Sequence, residues 1–211
     1  MRTNMQLAWT FGTFRRLICF ASLFALATAL QAGVVYDNLL SANSGADPIV
    51  GWGPPLFDSF STGSGGFSLA DVQLLLAGTP DAGSLTVSLY NDNATSPGAQ
   101  LAPIGTVNDA ALGSLGVIDL PLGSPYALAP NTRYWIVLNS TDSSANWGWS
   151  SDQAAVGVAG EFFGHVTSVF SNSGGPYQMR LSDTGAVPEP SALFLVLAGG
   201  CLVAIRRRSA C

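Results

Sequence analysis

The segment Leu85-Thr86-Val87-Ser88-Leu89-Tyr90 alternates apolar residues with hydroxyl-bearing residues. Successive side chains of a β-strand point to opposite faces, so Leu85, Val87 and Leu89 share one face of the strand. This pattern is typical of a strand that is buried on one side and faces water on the other. The segment therefore predicts a β-sheet that packs on a core.

A second segment, Arg133-Tyr134-Trp135-Ile136-Val137-Leu138, is apolar on both faces, as expected of a central strand in a sandwich. Turn-forming residues separate further short apolar segments, and no window shows sustained helical periodicity. These segments predict an all-β fold, an antiparallel β-sandwich of the jelly-roll type with eight to ten strands. The remaining strands are predicted at Val34–Leu40, Leu56–Ser61, Val72–Leu76, Gly116–Leu120, Phe162–Phe170 and Tyr177–Leu181, with a turn at 172–176.

The region from Gly33 to Val187 is long enough for one domain and is strongly acidic. It contains twelve acidic residues and two basic ones, Arg133 and Arg180, which gives a formal charge of −10. Such a surface repels a phosphate backbone, so nucleic acid is excluded as a partner. The chain has no lysine, which excludes a Walker A loop and a Schiff-base lysine. Its three cysteines lie outside this region, so a hydrophobic core must stabilise the domain.

Residues 1–32 have the pattern of a secretory signal peptide. Arg2, Arg15 and Arg16 form a basic start, and Leu17–Leu30 is an apolar segment of the expected length. The general export route is predicted, because Phe14 stands directly before the arginine pair, where a twin-arginine signal has a polar Ser or Thr residue.

Two cleavage positions are open for this signal peptide. Cleavage after Ala32 would leave Gly33 as the first residue of the mature protein. Cleavage after Ala29 fits the small-x-small rule better, because Ala27 and Ala29 flank Thr28.

The last 25 residues combine three features in a fixed order. Val187-Pro188-Glu189-Pro190 predicts an exposed, extended peptide, because its two prolines donate no backbone hydrogen bond. Ser191–Ile205 is uncharged and apolar, and as a helix it would be about 22 Å long against a bilayer core of about 30 Å. It can still span with local thinning of the bilayer. Arg206, Arg207 and Arg208 then stop translocation and stay in the cytoplasm.

This arrangement resembles the PEP-CTERM sorting signal of exported bacterial proteins. The resemblance implies three parts: a signal peptide (1–32), an exported domain (33–186) and a sorting tail (187–211). It also implies that an exosortase, a membrane-embedded processing enzyme, cuts an inner-membrane precursor near Val187–Pro190 in a Gram-negative bacterium. The product would reach the cell surface or the extracellular matrix, often where exopolysaccharide is made. The alternative is a plain C-terminal membrane anchor that is never cut.

The body of the chain resembles the choice-of-anchor domains of the R type, over about Val34 to Asp152. That group has no assigned chemistry and is defined by sharing one domain with different anchoring tails. The resemblance therefore implies a non-enzymatic exported domain that needs no cofactor. It rests on Tyr36-Asp37-Asn38-Leu39, Phe60-Ser61-Thr62-Gly63, Val87–Asp92, Pro97-Gly98, Leu128–Val137 and Trp147-Gly148-Trp149.

Trp147 and Trp149 lie two residues apart, so on a strand they would share one face. Sugar rings pack on such aromatic platforms, and the polar flanking residues favour a position near water. A carbohydrate-binding module that binds exopolysaccharide through Trp147 and Trp149 is therefore an alternative function. The competing interpretation is that both indoles belong to the core, where large aromatic side chains contribute most burial.

A surface hydrolase is the third alternative. His165 is the only histidine, and no Gly-x-Ser-x-Gly elbow accompanies it. Glu161 is the only glutamate between residues 33 and 187, and Asp142 or Asp152 could pair with it as in glycosidases.

No catalytic residue is predicted, and zinc is excluded because one histidine without cysteine provides too few ligands. A structural calcium ion is compatible with the oxygen-rich segments Asn91-Asp92-Asn93 and Asp142-Ser143-Ser144, although neither follows the twelve-residue calcium loop.

Overall fold

The computed structural model describes residues 33–49, 55–140, 142–165 and 168–183. The predicted signal peptide and sorting tail lie outside these residues. Within them the chain is all-β apart from two short 3-10 helices, at Asp109–Ala111 and Asn172–Gly174. The strands are β1 (Val34–Asp37), β2 (Gly45–Pro48), β3 (Leu56–Ser61), β4 (Phe67–Ala77), β5 (Ser84–Asp92), β6 (Pro97–Asn108), β7 (Gly116–Leu128), β8 (Arg133–Ser140), β9 (Asn146–Trp149), β10 (Phe162–His165), β11 (Ser168–Ser171) and β12 (Met179–Ser182).

The strands form two antiparallel sheets. The second sheet has the order β11-β10-β3-β8-β5-β6. In the first sheet, β7 pairs with β4 from Phe67 to Leu76, while β12 pairs with its Asp71–Leu74 part and β9 with Leu76 and Ala77. Because β7 occupies one side of β4, β12 and β9 lie end to end along the other side, where they pair with β1 and β2 respectively.

From β2 to β9, consecutive strands lie in different sheets, except that β5 and β6 both lie in the second sheet. These eight strands give the order β2-β9-β4-β7 in the first sheet and β3-β8-β5-β6 in the second. Side chains from both sheets share one apolar core, which includes Tyr36, Phe60, Leu74, Leu89 and Trp147. The all-β prediction is therefore confirmed, and the arrangement is consistent with a β-sandwich.

The strand β8 is apolar on both faces, as its sequence predicts. Tyr134, Ile136 and Leu138 point into the main core. Trp135 and Val137 point to the opposite face, where they pack with Phe57 in a second cluster. Strand β8 has β3 on one side and β5 on the other, so it is a central strand.

The turn before β8 is held from a distant part of the chain. Asn131 has a φ of 49°, the left-handed conformation that asparagine tolerates better than most residues. Thr62 donates to the Ala129 carbonyl through its hydroxyl (2.6 Å) and accepts from the Thr132 N–H (3.0 Å). The Tyr134 hydroxyl accepts from the Ala129 N–H (2.9 Å). The turn therefore fixes the start of β8, which is a structural role.

One predicted strand is wrong in extent. The segment Phe162–Phe170 contains two antiparallel strands, β10 and β11, with Phe162 opposite Ser171 and His165 opposite Ser168. The apolar residues favour a strand throughout, but Gly164 lets the two backbones approach so closely that a Cβ there would collide with the Ser168 carbonyl. Phe162–His165 and Ser168–Ser171 are therefore two separate, antiparallel strands.

Candidate functional site

The two ends of the described domain lie side by side. Strand β1 pairs antiparallel with β12, and Val34 is opposite Ser182. The Asp183 N–H donates to the Gly33 carbonyl (3.0 Å), which extends this ladder by one bond. The sorting residues Val187–Pro190 and Arg206–Arg208 follow beyond the described residues, so their prediction stays a prediction.

Trp147 belongs to the core. Its side chain is fully buried, and its ring stacks on Tyr177 with centroids 4.5 Å apart and planes inclined by 11°. Its Nε1–H donates to the Gln178 carbonyl (3.1 Å), so the polar atom of the indole is also satisfied inside the protein. A buried ring cannot stack on a sugar. The platform of two tryptophans predicted from the sequence is therefore corrected: Trp147 is a structural residue.

Trp149 lies at the edge of the same core and is only partly buried. Its indole contacts backbone on two sides: a Cβ at Gly45 would lie 2.8 Å from the ring, and a Cβ at Gly175 would lie 2.9 Å from it. Only glycine permits such close approach at both positions. The ring is therefore fixed in place by its own domain.

Glu161 is buried and bound within the domain. Its Oε2 accepts from the Arg133 Nε–H (2.9 Å) and from the Ser59 hydroxyl. Ser59 also accepts from the Phe162 N–H (2.9 Å), so the group joins β3, β8 and β10. The Arg133 guanidinium in turn lies 4.8 Å from the Phe162 ring centre. This carboxylate therefore holds strands of the second sheet together.

The predicted partners of Glu161 make their hydrogen bonds elsewhere. Asp142 accepts from the Ser84 N–H (3.1 Å), and Asp152 accepts from the Ser41 hydroxyl (2.8 Å) and the Ala154 N–H (2.9 Å). Both aspartates accept hydrogen bonds within turns and loops, which is the usual role of an isolated aspartate. Neither aspartate forms a hydrogen bond with Glu161 among the described residues, and their pairing as in glycosidases stays a prediction.

Asp58 is the acidic residue that does lie near Glu161. It is fully buried between the sheets, and its Oδ2 accepts from the Tyr177 N–H (2.7 Å). Burial raises the pKa of Asp58 well above its ordinary value, and the Glu161 carboxylate raises it further, while the Tyr177 N–H acts in the opposite direction. Burial likewise raises the pKa of Tyr36, whose hydroxyl accepts from the Asn172 amide (3.3 Å).

His165 lies on β10 between Leu56 of β3 and Ser168 of β11. Its Nδ1 is buried and has no hydrogen-bond partner in the described parts of the chain, and its ring centre is 6.3 Å from that of Phe170. A catalytic triad needs a carboxylate on one ring nitrogen and a nucleophile on the other. Among the described residues no carboxylate forms a hydrogen bond with Nδ1 of His165, so this part of a triad is missing.

A second acidic pair lies on the outer face of the first sheet. Asp71 is almost fully buried, and its Oδ1 has no hydrogen-bond partner among the described residues. Burial and the neighbouring Asp119 carboxylate raise the pKa of Asp71 to about 6. Asp119 accepts from the Gln73 amide (3.2 Å), and a salt bridge between Arg180 and Asp37 (2.7 Å) lies on the neighbouring strands.

The segments predicted to suit calcium use their oxygen atoms within the fold. Asn91 accepts from the Ala99 N–H through Oδ1, and Asp92 accepts from the Trp135 Nε1–H (2.8 Å). No cluster of three or more His, Cys, Asp or Glu residues arranged for a metal ion is present among the described residues. A structural calcium ion stays a prediction.

Sequence reasoning missed Asp58 as a buried group, although a signal was present. Asp58 alternates with Leu56 and Phe60, so it occupies an inward-facing position of β3. The donor that satisfies it, the Tyr177 N–H, lies 119 residues further along the chain and has no local signal.

Comparison with known proteins gives no match, either to a protein-family model or to a curated protein. Among the described residues no helix has the length and apolar character needed to cross a membrane.

Proposed function

We propose that this chain is a non-enzymatic exported protein of the bacterial cell surface or extracellular matrix. Its precursor is held in the inner membrane by Ser191–Ile205 and Arg206–Arg208. An exosortase-type enzyme cuts it near Val187–Pro190, and the domain then joins the exopolysaccharide-containing matrix.

The observation that carries this proposal is the position of the last strand. Strand β12 ends at Ser182, before the Pro-Glu-Pro motif begins at Pro188. It lies between β1 and β4, inside the first sheet. A cut at Val187–Pro190 therefore removes none of the described strands and leaves the core intact, as a disposable tail requires.

The strand order supports a jelly-roll assignment for the domain. Eight consecutive strands give the orders β2-β9-β4-β7 and β3-β8-β5-β6, in which each sheet takes strands alternately from the two halves of the chain. This is the order expected of two Greek keys wrapped into facing sheets. Strands β1 and β12 extend the first sheet, and β10 and β11 extend the second.

The contacts of the two buried carboxylates Glu161 and Asp58 support the non-enzymatic part of the proposal. Glu161 binds Arg133 and Ser59, and Asp58 binds the Tyr177 backbone. Each contact joins separate strands or loops of the fold. These carboxylates therefore act as structural groups.

The experiment is to express the full chain in a Gram-negative host that contains an exosortase and in a matched strain that lacks it. Intact-mass spectrometry of surface and membrane fractions reports where the chain ends. We expect loss of Arg206–Arg208 only where the enzyme is present, and retention of the whole tail when Pro188, Glu189 and Pro190 are replaced by alanine. Surface protein that still carries the three arginines would contradict the proposal.

A further inference from the structure

The Asp183 carboxylate lies against the first residue of the domain. A Cβ built on Gly33 would be 2.7 Å from Asp183 Oδ2 and 3.6 Å from Oδ1. Any residue with a side chain at position 33 would therefore have to displace the carboxylate. Glycine lets it approach the backbone, and the Asp183 N–H to Gly33 carbonyl bond (3.0 Å) holds the two residues together.

One oxygen of this carboxylate has no partner among the described residues. Asp183 Oδ1 is buried and accepts no hydrogen bond in the described part of the chain. A buried carboxylate oxygen without a donor is unfavourable, and a nearby positive charge would relieve it. The Gly33 nitrogen is about 2.5 Å from the position of a Cβ, since both are bonded to the Cα. It therefore lies within about 5 Å of Asp183 Oδ2.

We propose that the signal peptide is cut between Ala32 and Gly33, and that the new α-ammonium group of Gly33 pairs with the Asp183 carboxylate. This inference rests on the export function proposed above. The water oxygen bonds to the Ala32 carbonyl carbon and becomes part of the Ala32 carboxylate, the Ala32–Gly33 C–N bond breaks, and both water protons end on the Gly33 nitrogen, which becomes an ammonium. In the precursor the same nitrogen is a neutral amide, so cleavage itself creates the missing charge.

The position of the charge selects between the two cleavage sites. A cut after Ala29 would leave Leu30, Gln31 and Ala32 ahead of Gly33 and would move the ammonium three residues away from Asp183. The small-residue rule favours that cut, whereas the unpaired carboxylate favours the cut after Ala32. The ion pair would also join the first residue of the mature protein to the end of β12, beside the segment that leads to the sorting tail.

The first measurement is the intact mass of the exported protein made from the full chain. We expect a mature chain that begins at Gly33. A chain that begins at Leu30 would overturn this inference but leave export in place. An exported protein that retains residues 1–32 would instead contradict the proposed function.

The second measurement uses the absence of lysine from the chain, because the α-amine is then the only primary amine. Reductive methylation of the mature protein with carbon-13 formaldehyde labels that amine alone, and its titration can be followed by NMR. We expect a pKa at least about one unit above the ordinary range of about 7.7–8.0. An ordinary pKa in the unsubstituted protein would overturn the ion pair.

Variants identify the carboxylate responsible. Asp183→Asn should return the α-amine pKa to its ordinary range. Asp81→Asn is the control, because Asp81 is exposed and follows the opposite end of β4, and it should leave the α-amine pKa unchanged. Acetylation of the α-amine should lower the melting temperature of the unsubstituted protein, but not that of Asp183→Asn. An equal effect of acetylation in both proteins would refute the pairing.

Discussion

Two buried acidic regions of this domain differ in the hydrogen-bond donors that surround their carboxylates. Asp58, between the sheets, accepts from a backbone N–H, and Glu161, on the other face of the second sheet, accepts from a guanidinium and a hydroxyl. On the outer face of the first sheet, Asp71 has an oxygen with no partner and another carboxylate, Asp119, beside it.

The difference shows that burial alone does not decide what a carboxylate contributes. A buried carboxylate with donors can join elements that are far apart in sequence, and removing it leaves those donors unpaired. A buried carboxylate with one oxygen unpaired, next to a second negative charge, destabilises the fold once it is ionised. The same substitution should therefore have opposite effects in the two regions.

The largest effect is expected for Glu161→Ala. It leaves the partly buried Arg133 guanidinium and the Ser59 hydroxyl without their acceptor, which should lower the free energy of unfolding by about 3 kcal/mol. Urea denaturation measures the change. The double variant Arg133→Ala/Glu161→Ala should lose less than the sum of the two single variants. Strict additivity would mean that the ion pair contributes nothing of its own.

A smaller loss, about 2 kcal/mol, is expected for Asp58→Ala, because the buried Tyr177 N–H loses its acceptor. Asp58→Asn is the matched control. It keeps an acceptor oxygen at the same place but removes the titratable carboxyl group, whose pKa is raised. We expect it to retain most of the stability at pH 7.5. Equal losses in the two variants would show that the acceptor is not what matters.

Asp71→Asn should instead stabilise the protein. The folded pKa of about 6 lies above the ordinary aspartate value, so the folded state binds the proton more tightly than the unfolded chain. The cost of ionisation is absent below about pH 4 and complete above about pH 6. We expect a gain of about 1 kcal/mol at pH 7.5, kept small by solvent screening on the Asp119 side, and none at pH 4. Thermal unfolding at both pH values tests this, and a gain of the same size at pH 4 would contradict it.

The smallest effect is expected for Asp119→Asn, which removes the neighbouring charge and leaves Asp71 buried. The pKa of Asp71 should fall toward its ordinary value, and stability at pH 7.5 should rise by less than about 0.5 kcal/mol. The chemical shift of the Asp71 carboxyl carbon, followed against pH, reports that pKa directly. An unchanged pKa would mean that burial alone raises it.

The sequence predicts the fold best where the core determines the local pattern. Strand β3 has the predicted bounds, Leu56–Ser61, and β8 is apolar on both faces as expected. Strands β2 and β6 were not predicted. They contain proline and show little apolar alternation, which edge strands tolerate because one side of their backbone needs no partner in the sheet.

The site could be predicted only in part, because its key contacts join distant residues. Trp147 has polar residues on either side, which favours a position near water, but its burial depends on Tyr177, thirty residues later. Asp183 directly follows the last strand and gives no local sign that Gly33 lies beside it. A local pattern indicates which face a residue occupies, whereas only the folded chain shows what covers that face.

The neighbouring ends of β1 and β12 also determine how the domain would respond to mechanical load. A pull between Gly33 and Asp183 would open the ladder between these strands one hydrogen bond at a time, which requires little force. A pull between the tail and the body of the domain would load β12 along its length, against β1 and β4 together. A surface protein held through its C-terminal end would experience the second, more resistant geometry.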